Sequence, residues 1–491
     1  MTNPRPVTLI PGDGVGPELI RSTVRIIEAA GVKLAWEELP AGESVFRMGD
    51  TSGVPRETRD SIERTGVVLK GPLTTPVGFG EKSANVTLRK LFETYANLRP
   101  TRELPGVPTR YSGEGIDFVV VRENIEDLYA GIEHMQTPDV AQCVKLISRK
   151  GSEKVIRFAF ELARREGRTK VTCATKANIM KLSEGLFKHT FEALASDYPE
   201  IQVEHLIIDN VAHQFVKNPA QFDIVVTTNL NGDIVSDLAS ALVGGLGFAP
   251  SGNYGDHVSI FETVHGSAPK YAGKDVINPT ALILSSVLML RHIGETDAAD
   301  RVEDAVCVTL EDGKSITQDL LRQMGRDPSK AAGTIAFTDA VIENLGRRPA
   351  TLQPRRVGHR GPDVPVPMPR WSYAPEHYAA ITRKTVGFDL FVETDVAPDV
   401  LGRDLAALAG DELTLQMIAS RGTKVYPQSG FMPDHVRHFW ARFLAKDGGE
   451  VDDASMLAAI GRIAARYPQW NHVEKLREFD GERGYTLAQG Q

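Results

Sequence analysis

Apolar positions along this chain follow two alternating periods. Val7-Thr-Leu-Ile-Pro11 reads as a short strand, Gly12-Asp-Gly-Val-Gly16 as a turn, and Pro17 stands where a helix accepts its first residue. Leu19, Ile20, Val24 and Ile27 then recur at helical spacing up to Gly31, a C-terminal stop. The same alternation predicts strands at Gly66–Leu69, Phe118–Val121, Val171–Ala174, Val203–Ile208 and Ile224–Thr227, with helices at Glu153–Glu166 and Ile179–Leu194. Strands alternating with helices predict an α/β protein with parallel pairing. The longest apolar stretch, Thr280 to Leu290, falls short of the ~18 residues of a membrane span and predicts a buried helix.

The pattern changes near Leu345. Arg347 to Glu376 is rich in proline and arginine and lacks apolar periodicity, which predicts a stiff, extended linker. Beyond it come strand Val386–Glu393, helix Pro398–Ala409, strands Leu413–Ser420 and Phe439–Leu444, helix Ala454–Tyr467 and strand Val473–Phe479. This β-α-β-β-α-β order is that of a ferredoxin-like α+β domain.

At 491 residues the chain exceeds one ordinary core, and at ~150 residues per domain two or three folding units are expected. A hydrophobic fraction of 42% and a charged fraction of 24% exclude a largely disordered chain. The net charge of −8 (56 basic against 64 acidic residues) gives no general affinity for nucleic acid or anionic lipid, so an anion site must be a local arginine cluster. Cys143, Cys173 and Cys307 are scattered and lack metal-type spacing; reduced thiols in a cytoplasmic protein are the simplest account, and the N-terminus shows no signal-peptide pattern.

The Gly12–Gly16 turn has G-x-G-x-G spacing, not the dinucleotide fingerprint, and no acidic residue ends a second strand about 20 residues on. A tight turn requiring small residues explains it equally well, so a Rossmann fold is not expected. Ser83-Ala-Asn85-Val-Thr-Leu-Arg89, Arg99 and Arg122 are more informative. Three arginines from separate segments suit a substrate with several carboxylates, because guanidinium grips carboxylate with a two-pronged fork. Asp233 and Asp237 stand four apart at the start of a helix, on one face. Oxygen-only ligands so arranged suit Mg²⁺ or Mn²⁺, although capping of the helix accounts for the spacing as well. Asp209, at a strand end, is a third carboxylate. Lys176 and Tyr129 are candidates for proton transfer, each equally explicable as a surface or packing residue. His265-Gly-Ser-Ala-Pro-Lys270-Tyr271, with Asn278 beyond, is a polar loop that fits nucleotide recognition and fits a plain loop as well.

Taken together, the segments from Ile10-Pro-Gly-Asp-Gly-Val-Gly-Pro-Glu18 to about Gly346 resemble the isocitrate dehydrogenases of the β-decarboxylating dehydrogenase family. The Pro-rich linker and last domain resemble its longer-chain branch. The resemblance implies an isocitrate/isopropylmalate dehydrogenase-like two-domain core: a large cofactor-binding domain at 1–94 and 244–345, a small domain with dimer clasp and metal site at 95–243, then a linker at 346–383 and a C-terminal domain at 384–491. It implies that Ser83, Asn85, Arg89, Arg99 and Arg122 hold isocitrate, that Tyr129 and Lys176 transfer protons, and that Asp209, Asp233 and Asp237 bind Mg²⁺ or Mn²⁺. Each active site would be shared within a homodimer, Lys176 and Asp209 serving the other subunit. Thr75, Glu262, His265, Gly266, Ser267, Ala268, Lys270, Tyr271, Asn278 and Arg322 match cofactor-binding positions. Lys270 and Tyr271 resemble an NADP-selecting pair, since lysine favours a 2′-phosphate. Gln318 departs from a second tyrosine found in some NADP enzymes, and the segment between Tyr129 and Lys176 is shorter than in the commonest homodimeric form. The implied activity is oxidative decarboxylation of isocitrate to 2-oxoglutarate and CO₂, a tricarboxylic acid cycle step. The rival readings are an NAD-dependent isocitrate, homoisocitrate or 3-isopropylmalate enzyme. The last domain is expected to serve dimer contacts, with effector or RNA binding as the alternative; its sequence lacks a paired-aromatic RNA signature.

Overall fold

The computed structural model describes residues 4–74, 83–352, 380–427 and 433–487, so Thr75 and most of the Pro-rich linker lie outside the described residues. The chain divides into two compact units, residues 1–130 with 146–370, and residues 131–145 with 371–491.

The first unit is built on a ten-stranded sheet. Its strands are β1 (Arg5–Ile10), β2 (Leu34–Glu38), β3 (Val67–Lys70), β4 (Ala96–Arg102), β5 (Asp117–Glu123), β8 (Lys170–Thr175), β9 (Gln202–Ile207), β10 (Ile224–Thr227), β11 (Pro250–Tyr254) and β12 (Ser259–Thr263). Strands β6 (Glu133–Thr137) and β7 (Val140–Cys143) form a hairpin that belongs to the second unit. The spatial order is β2-β1-β3-β12-β11-β4-β5-β10-β8-β9. The expected parallel pairing holds for both flanks but fails at the centre, where β11 runs antiparallel to β12 and β4, and β4 antiparallel to β5. The apolar pattern missed β4, β11 and β12 because these strands carry Asn97, Arg99, Pro100, Asn253 and Glu262 where a buried parallel strand would carry Val or Ile.

Helices cover both faces. Helix α1 (Gly16–Ala29) starts on Pro17 and buries Leu19, Ile20, Ile26 and Ile27. Helix α9 (Thr280–His292) is apolar around most of its circumference because it is enclosed by α1, by the helix Thr296–Asp312 and by β11 and β12. Helix α8 (Asn229–Leu242) packs on β4 and β5, with α7 (Ile208–Lys217) beside it. Arg122 lies inside β5 rather than after it, and Asp209 lies in the first turn of α7 rather than ending a strand. The helix expected from Ile179 begins at Ser183, which leaves Ile179 and Leu182 exposed. Among the described residues no helix is long and apolar enough to cross a membrane.

The second unit has a six-stranded antiparallel sheet. Its strands are β13 (Arg383–Glu393), β14 (Leu413–Ser420), β15 (Thr423–Tyr426), β16 (His438–Ala445), β17 (Trp470–Phe479) and β18 (Glu482–Arg483), in the order β15-β14-β16-β13-β17-β18. With the helices Pro398–Leu408 and Asp453–Arg466 packed on Phe388, Leu390, Val392, Phe439 and Phe443, this is the expected β-α-β-β-α-β arrangement plus two short edge strands. Asn471 Nδ2 of β17 donates to Gln136 O of the hairpin at 2.6 Å, inside this unit. Phe391, His438, Trp440 and His472 gather on the other sheet face, an aromatic group invisible in the sequence because three separate strands supply it. Beside them Arg442, buried, donates through Nε and Nη2 to both carboxylate oxygens of Asp389 at 2.8 Å and through Nη1 to Thr486 O at 2.7 Å.

That ion pair gives a direct expectation. Asp389→Ala strands a buried guanidinium and should cost about 3–5 kcal/mol in urea unfolding followed by tryptophan fluorescence. Asp389→Ala combined with Arg442→Met should recover most of that loss, because the buried charge is then absent.

Candidate active site

A row of polar side chains crosses the middle of the first sheet. Antiparallel register sets Asn97 of β4 opposite Arg122 of β5, with Arg99 two residues along on the same face. On its other side Asn97 is opposite Asn253 of β11. Arg99 Nε donates to Asn97 Oδ1 at 2.7 Å, Asn97 Nδ2 to Asn253 Oδ1 at 3.0 Å, and Asn253 Nδ2 to Glu262 Oε1 of β12 at 2.8 Å. Glu262 is paired with Lys70 Nζ at 2.5 Å and Arg89 Nη2 at 3.0 Å. A continuous chain thus links Lys70, Glu262, Asn253, Asn97 and Arg99. The sequence reading gave no role to Lys70, Asn97, Asn253 or Asn229; a lysine closing an apolar strand before Gly-Pro was the one available signal.

The three predicted arginines converge. Arg89 comes from the last turn of α4 (Ala84–Leu91), which Ser83 precedes as N-cap residue. Asn85 stands one turn before Arg89 on the same helix face, and its buried Oδ1, like Arg89 Nε, has no hydrogen-bond partner among the described residues. Arg122 donates through Nε and Nη2 to Asn229 Oδ1 at 2.9 and 2.7 Å, and through Nη1 to Asp233. Arg99 Nη1 reaches Ser236 Oγ at 2.7 Å and Asp237 Oδ1 at 3.3 Å, and Arg99 Nη2 reaches Asp233 Oδ1 at 3.3 Å. Burial first, then the guanidinium groups of Arg99 and Arg89, pulls the Arg122 pKa down to about 9. The guanidiniums repel one another in a site that favours added negative charge.

Asp233 and Asp237 both project from α8 into this cluster. Burial opposes ionisation of Asp233, but Arg122, Arg99 and the Tyr129 hydroxyl outweigh it and hold the carboxyl below its usual range. Asp237, about half exposed, is shifted upward, by burial chiefly and by Asp233. Tyr129 donates its hydroxyl to Asp233 Oδ2 at 2.5 Å, and burial together with that bond raises its pKa. The tyrosine is held by Asp127, which is buried in the left-handed region at φ 67° and accepts from Leu128 N–H at 2.7 Å and Leu230 N–H at 2.9 Å. The turn bearing Tyr129 is thereby fastened to the first turn of α8.

Lys176 and Asp209 form a separate pair. Lys176 Nζ donates to Asp209 Oδ1 at 2.6 Å, which holds the exposed Asp209 carboxyl below its usual pKa. Among the described residues of the single chain no group of three or more His, Cys, Asp or Glu side chains is placed to hold a metal ion. Asp233 and Asp237 are an oxygen-only donor pair that fits a hard dication, whose remaining positions are open to water, substrate oxygens or a further carboxylate.

The predicted cofactor loop borders a cleft of about 480 Å³ lined by His265, Gly266, Ala268, Tyr271, Asn278 and Arg322 among others. Burial lowers the His265 pKa. Lys270 Nζ rests over the Tyr271 ring, 4.8 Å from its centroid. Asn278 Nδ2 donates to Asp319 at 2.9 Å, a carboxylate of the cleft that the sequence reading did not pick out. Glu262 lies in the polar row at the sheet centre, and Ser267 beneath the loop contacts the Gly12–Gly16 turn.

The profile of the isocitrate/isopropylmalate dehydrogenase family matches residues 6–341, and that of the bacterial isocitrate dehydrogenase C-terminal domain matches residues 383–491. The chain is 57% identical over 486 residues to "Isocitrate dehydrogenase [NADP]" of Thermus thermophilus, covering 99% of this chain and 96% of that protein. It is 39% identical over 494 residues to the protein of the same name from Rickettsia bellii, covering 99% of both. A crystal structure of a Thermus thermophilus protein superposes with a TM-score of 0.90 at 56% identity, over 99% of this chain and 96% of that one. The chain belongs to the isocitrate/isopropylmalate dehydrogenase family.

Glu123, next to Arg122 and almost fully buried, accepts Ile125 N–H at 2.7 Å and Glu126 N–H at 3.0 Å. Burial pushes its carboxyl up from 4.5 to about 7. A folded-state pKa above the unfolded one favours the folded state most below about pH 4.5, and that contribution is lost as pH rises through about 7. Glu123→Gln should therefore gain stability relative to the parent by about 1–3 kcal/mol between pH 5 and pH 8 in denaturant titrations.

Proposed function

We infer that this chain catalyses NADP-dependent oxidative decarboxylation of isocitrate to 2-oxoglutarate and CO₂, the isocitrate-oxidising step of the tricarboxylic acid cycle. The observation that carries the reading is the convergence of Arg89, Arg99 and Arg122 on Tyr129, Asp233 and Asp237. Guanidinium groups crowded in a low-dielectric site bind a tricarboxylate and exclude a neutral or monoanionic hydroxy acid. Ser83 and Asn85 complete the grip; Arg89 Nε, unpartnered among the described residues, can donate to a substrate carboxylate, and Asn85 Oδ1 can accept from the substrate hydroxyl.

Asp233 and Asp237 would hold Mg²⁺ or Mn²⁺ together with Asp209 of the partner subunit. The bound ion would supply a sink for the negative charge that develops at the C2 oxygen. NADP, seated along His265–Tyr271 and Asn278 with Arg322 and Lys270 toward its 2′-phosphate, would accept the hydride from C2. Lys176 of the partner subunit, as the neutral amine, takes the C2 hydroxyl proton directly or through water with Asp209. Loss of the C3 carboxylate as CO₂ leaves electron density at C3, and Tyr129 protonates it. Its raised pKa keeps the phenol protonated at neutral pH until that step.

A homodimer with shared sites is the assembly this requires. Lys176 and Asp209 pair with each other apart from Asp233 and Asp237, and apolar side chains nearby stand in solvent in the single chain, Ile179 at 66% and Ile234 at 61% exposure. The domain limits follow the same reading, a large cofactor domain at 1–94 and 244–345 and a small domain at 95–243. Free cysteines suit a reducing cytoplasm.

Rates with isocitrate, homoisocitrate and 3-isopropylmalate, each with NADP and NAD, test the reaction; only isocitrate with NADP should turn over efficiently. Lys270→Asp should lower kcat/KM for NADP by about 100-fold or more, leaving that for NAD nearly unchanged. Lys176→Ala and Asp233→Asn should each be nearly inactive alone. Unfolded together and reassociated at random, they should regain about a quarter of parental activity, since half the dimers are mixed and each has one intact site. Sites confined to one subunit would regain none.

A further inference from the structure

Three backbone donors of the Gly12–Gly16 turn are spent on the protein itself. Asp13 N–H donates to Pro72 O at 2.8 Å, Val15 N–H to Ser267 O at 2.9 Å and Gly16 N–H to Asp13 O at 2.9 Å. These amides are not available to cradle a phosphate, which separates the turn from a dinucleotide-binding glycine loop. Contact is close: a Cβ on Gly12 would lie 2.4 Å from Pro72 O, and one on Gly14 2.0 Å from Ser267 O. Both glycines have positive φ, 75° and 57°, so the turn admits no larger residue at either place.

Of the two side chains in this turn, Val15 packs into the apolar core, while Asp13, also nearly fully buried, makes polar contacts. Its Oδ2 accepts Thr74 N–H at 2.7 Å, and its two oxygens receive Glu43 N–H at 3.1 and 3.0 Å. Thr74 Oγ1 in turn lies 2.8 Å from Ser267 Oγ. A closed ring results: turn to Pro72–Thr74, Thr74 to Ser267, Ser267 back to the turn. Ser267 belongs to the loop that borders the cofactor cleft.

We propose that Asp13 is a positioning residue for the dinucleotide cofactor: its carboxylate fixes the 72–74 segment against the glycine turn, and through Thr74 and Ser267 fixes the 265–271 loop in its binding conformation. The proposal rests on the cofactor reading above. A pre-set loop costs less ordering on binding, so the effect falls on cofactor affinity and not on the arginine cluster that grips substrate.

The test uses the full-length enzyme, with NADP affinity by calorimetry and KM for both substrates. Asp13→Asn keeps the shape but turns an N–H donor against one of the backbone N–H groups. It should weaken NADP binding by about tenfold, with KM for isocitrate and kcat at saturation within about threefold of the parent. Thr74→Val keeps the Thr74 N–H but cuts the link to Ser267 and should weaken NADP about threefold. The double variant should be no weaker than Asp13→Asn alone, because both changes cut one chain of contacts. Asp452→Ala, which removes the helix cap on Ser455 N–H in the second unit, should lower the thermal midpoint without changing NADP affinity.

Unchanged NADP affinity in a folded Asp13→Asn enzyme overturns the proposal, as does equal weakening of NADP and isocitrate, or additive effects in the double variant. Should Asp13→Asn not fold, Thr74→Val decides alone, and parental NADP affinity there overturns the proposal. A parent enzyme that takes NAD and not NADP would refute the Lys270 reading, and the same measurements made with NAD would still decide the role of Asp13.

Discussion

Four cations at the middle of a sheet have to be balanced before the chain can fold there. Lys70, Arg99 and Arg122 are almost fully buried and Arg89 is mostly so, which weakens the screening of their charges by water. The chain itself supplies Glu262, Asp233 and Asp237 as counter-charges, three carboxylates against four cations. Glu262 is firmly held by Lys70 and Arg89, its carboxyl driven strongly downward against burial. The pairs of Arg99 with the two α8 aspartates are longer, 3.3 Å each, and Asp237 is about half exposed. The deep end of the row is therefore structural and the α8 end exchangeable. In the reading proposed above, a tricarboxylate arriving at the α8 end would relieve the mutual repulsion of the guanidiniums and free the aspartates for a dication, so substrate and metal would favour each other's binding.

The same constraint explains which parts of the fold were legible in the sequence. Strands whose side chains face apolar layers on both sides, such as Val171–Ala174 and Ile224–Thr227, declare themselves by composition, and so does the second unit, whose inward Phe388, Leu390 and Val392 recur at every second position. Strands β4, β11 and β12 were hidden because their inward positions carry the polar row. Losing them cost the sheet its mixed topology, since these are the strands that run antiparallel. Arg99 and Arg122 were selected for their chemistry, but that they stand on one face follows from the register of β4 against β5, which no local pattern contains. Asp209 and Lys176 were selected together and do meet, whereas the meeting of Asp209 with Asp233 and Asp237 belongs to a second copy of the chain in the reading proposed above.

The glycine turn shows how a motif can be legible and its use opaque. Small residues after a first strand signal close backbone approach in either case, to a phosphate or to another segment. What separates the two is where the amide hydrogens go, and here those of Asp13, Val15 and Gly16 go to the carbonyls of Pro72, Ser267 and Asp13. An acidic residue in the middle of the turn points the same way, since a carboxylate would repel a phosphate held at that spot but serves well as an acceptor for backbone N–H groups of adjoining segments.

Tyr129 stands one residue before the chain leaves the first unit at Ala130, and the chain returns at Leu146. A side chain so near the root of a hairpin in another folding unit is exposed to any movement of that hairpin. Three contacts keep it in register with α8: Asp127 N–H donates to Leu146 O at 2.8 Å, closing the root of the excursion, the Asp127 carboxylate takes Leu230 N–H, and Asn229 Nδ2 donates to Glu126 O at 3.3 Å. The left-handed backbone of Asp127 has an intrinsic cost of order 1 kcal/mol, which these contacts offset. Tyr129 is thus tied to the helix that carries Asp233 and Asp237, and its 2.5 Å bond to Asp233 depends on α8 and not on the hairpin. An excursion of 15 residues can therefore be inserted beside the tyrosine without loosening it, because the closing bond lies inside the first unit.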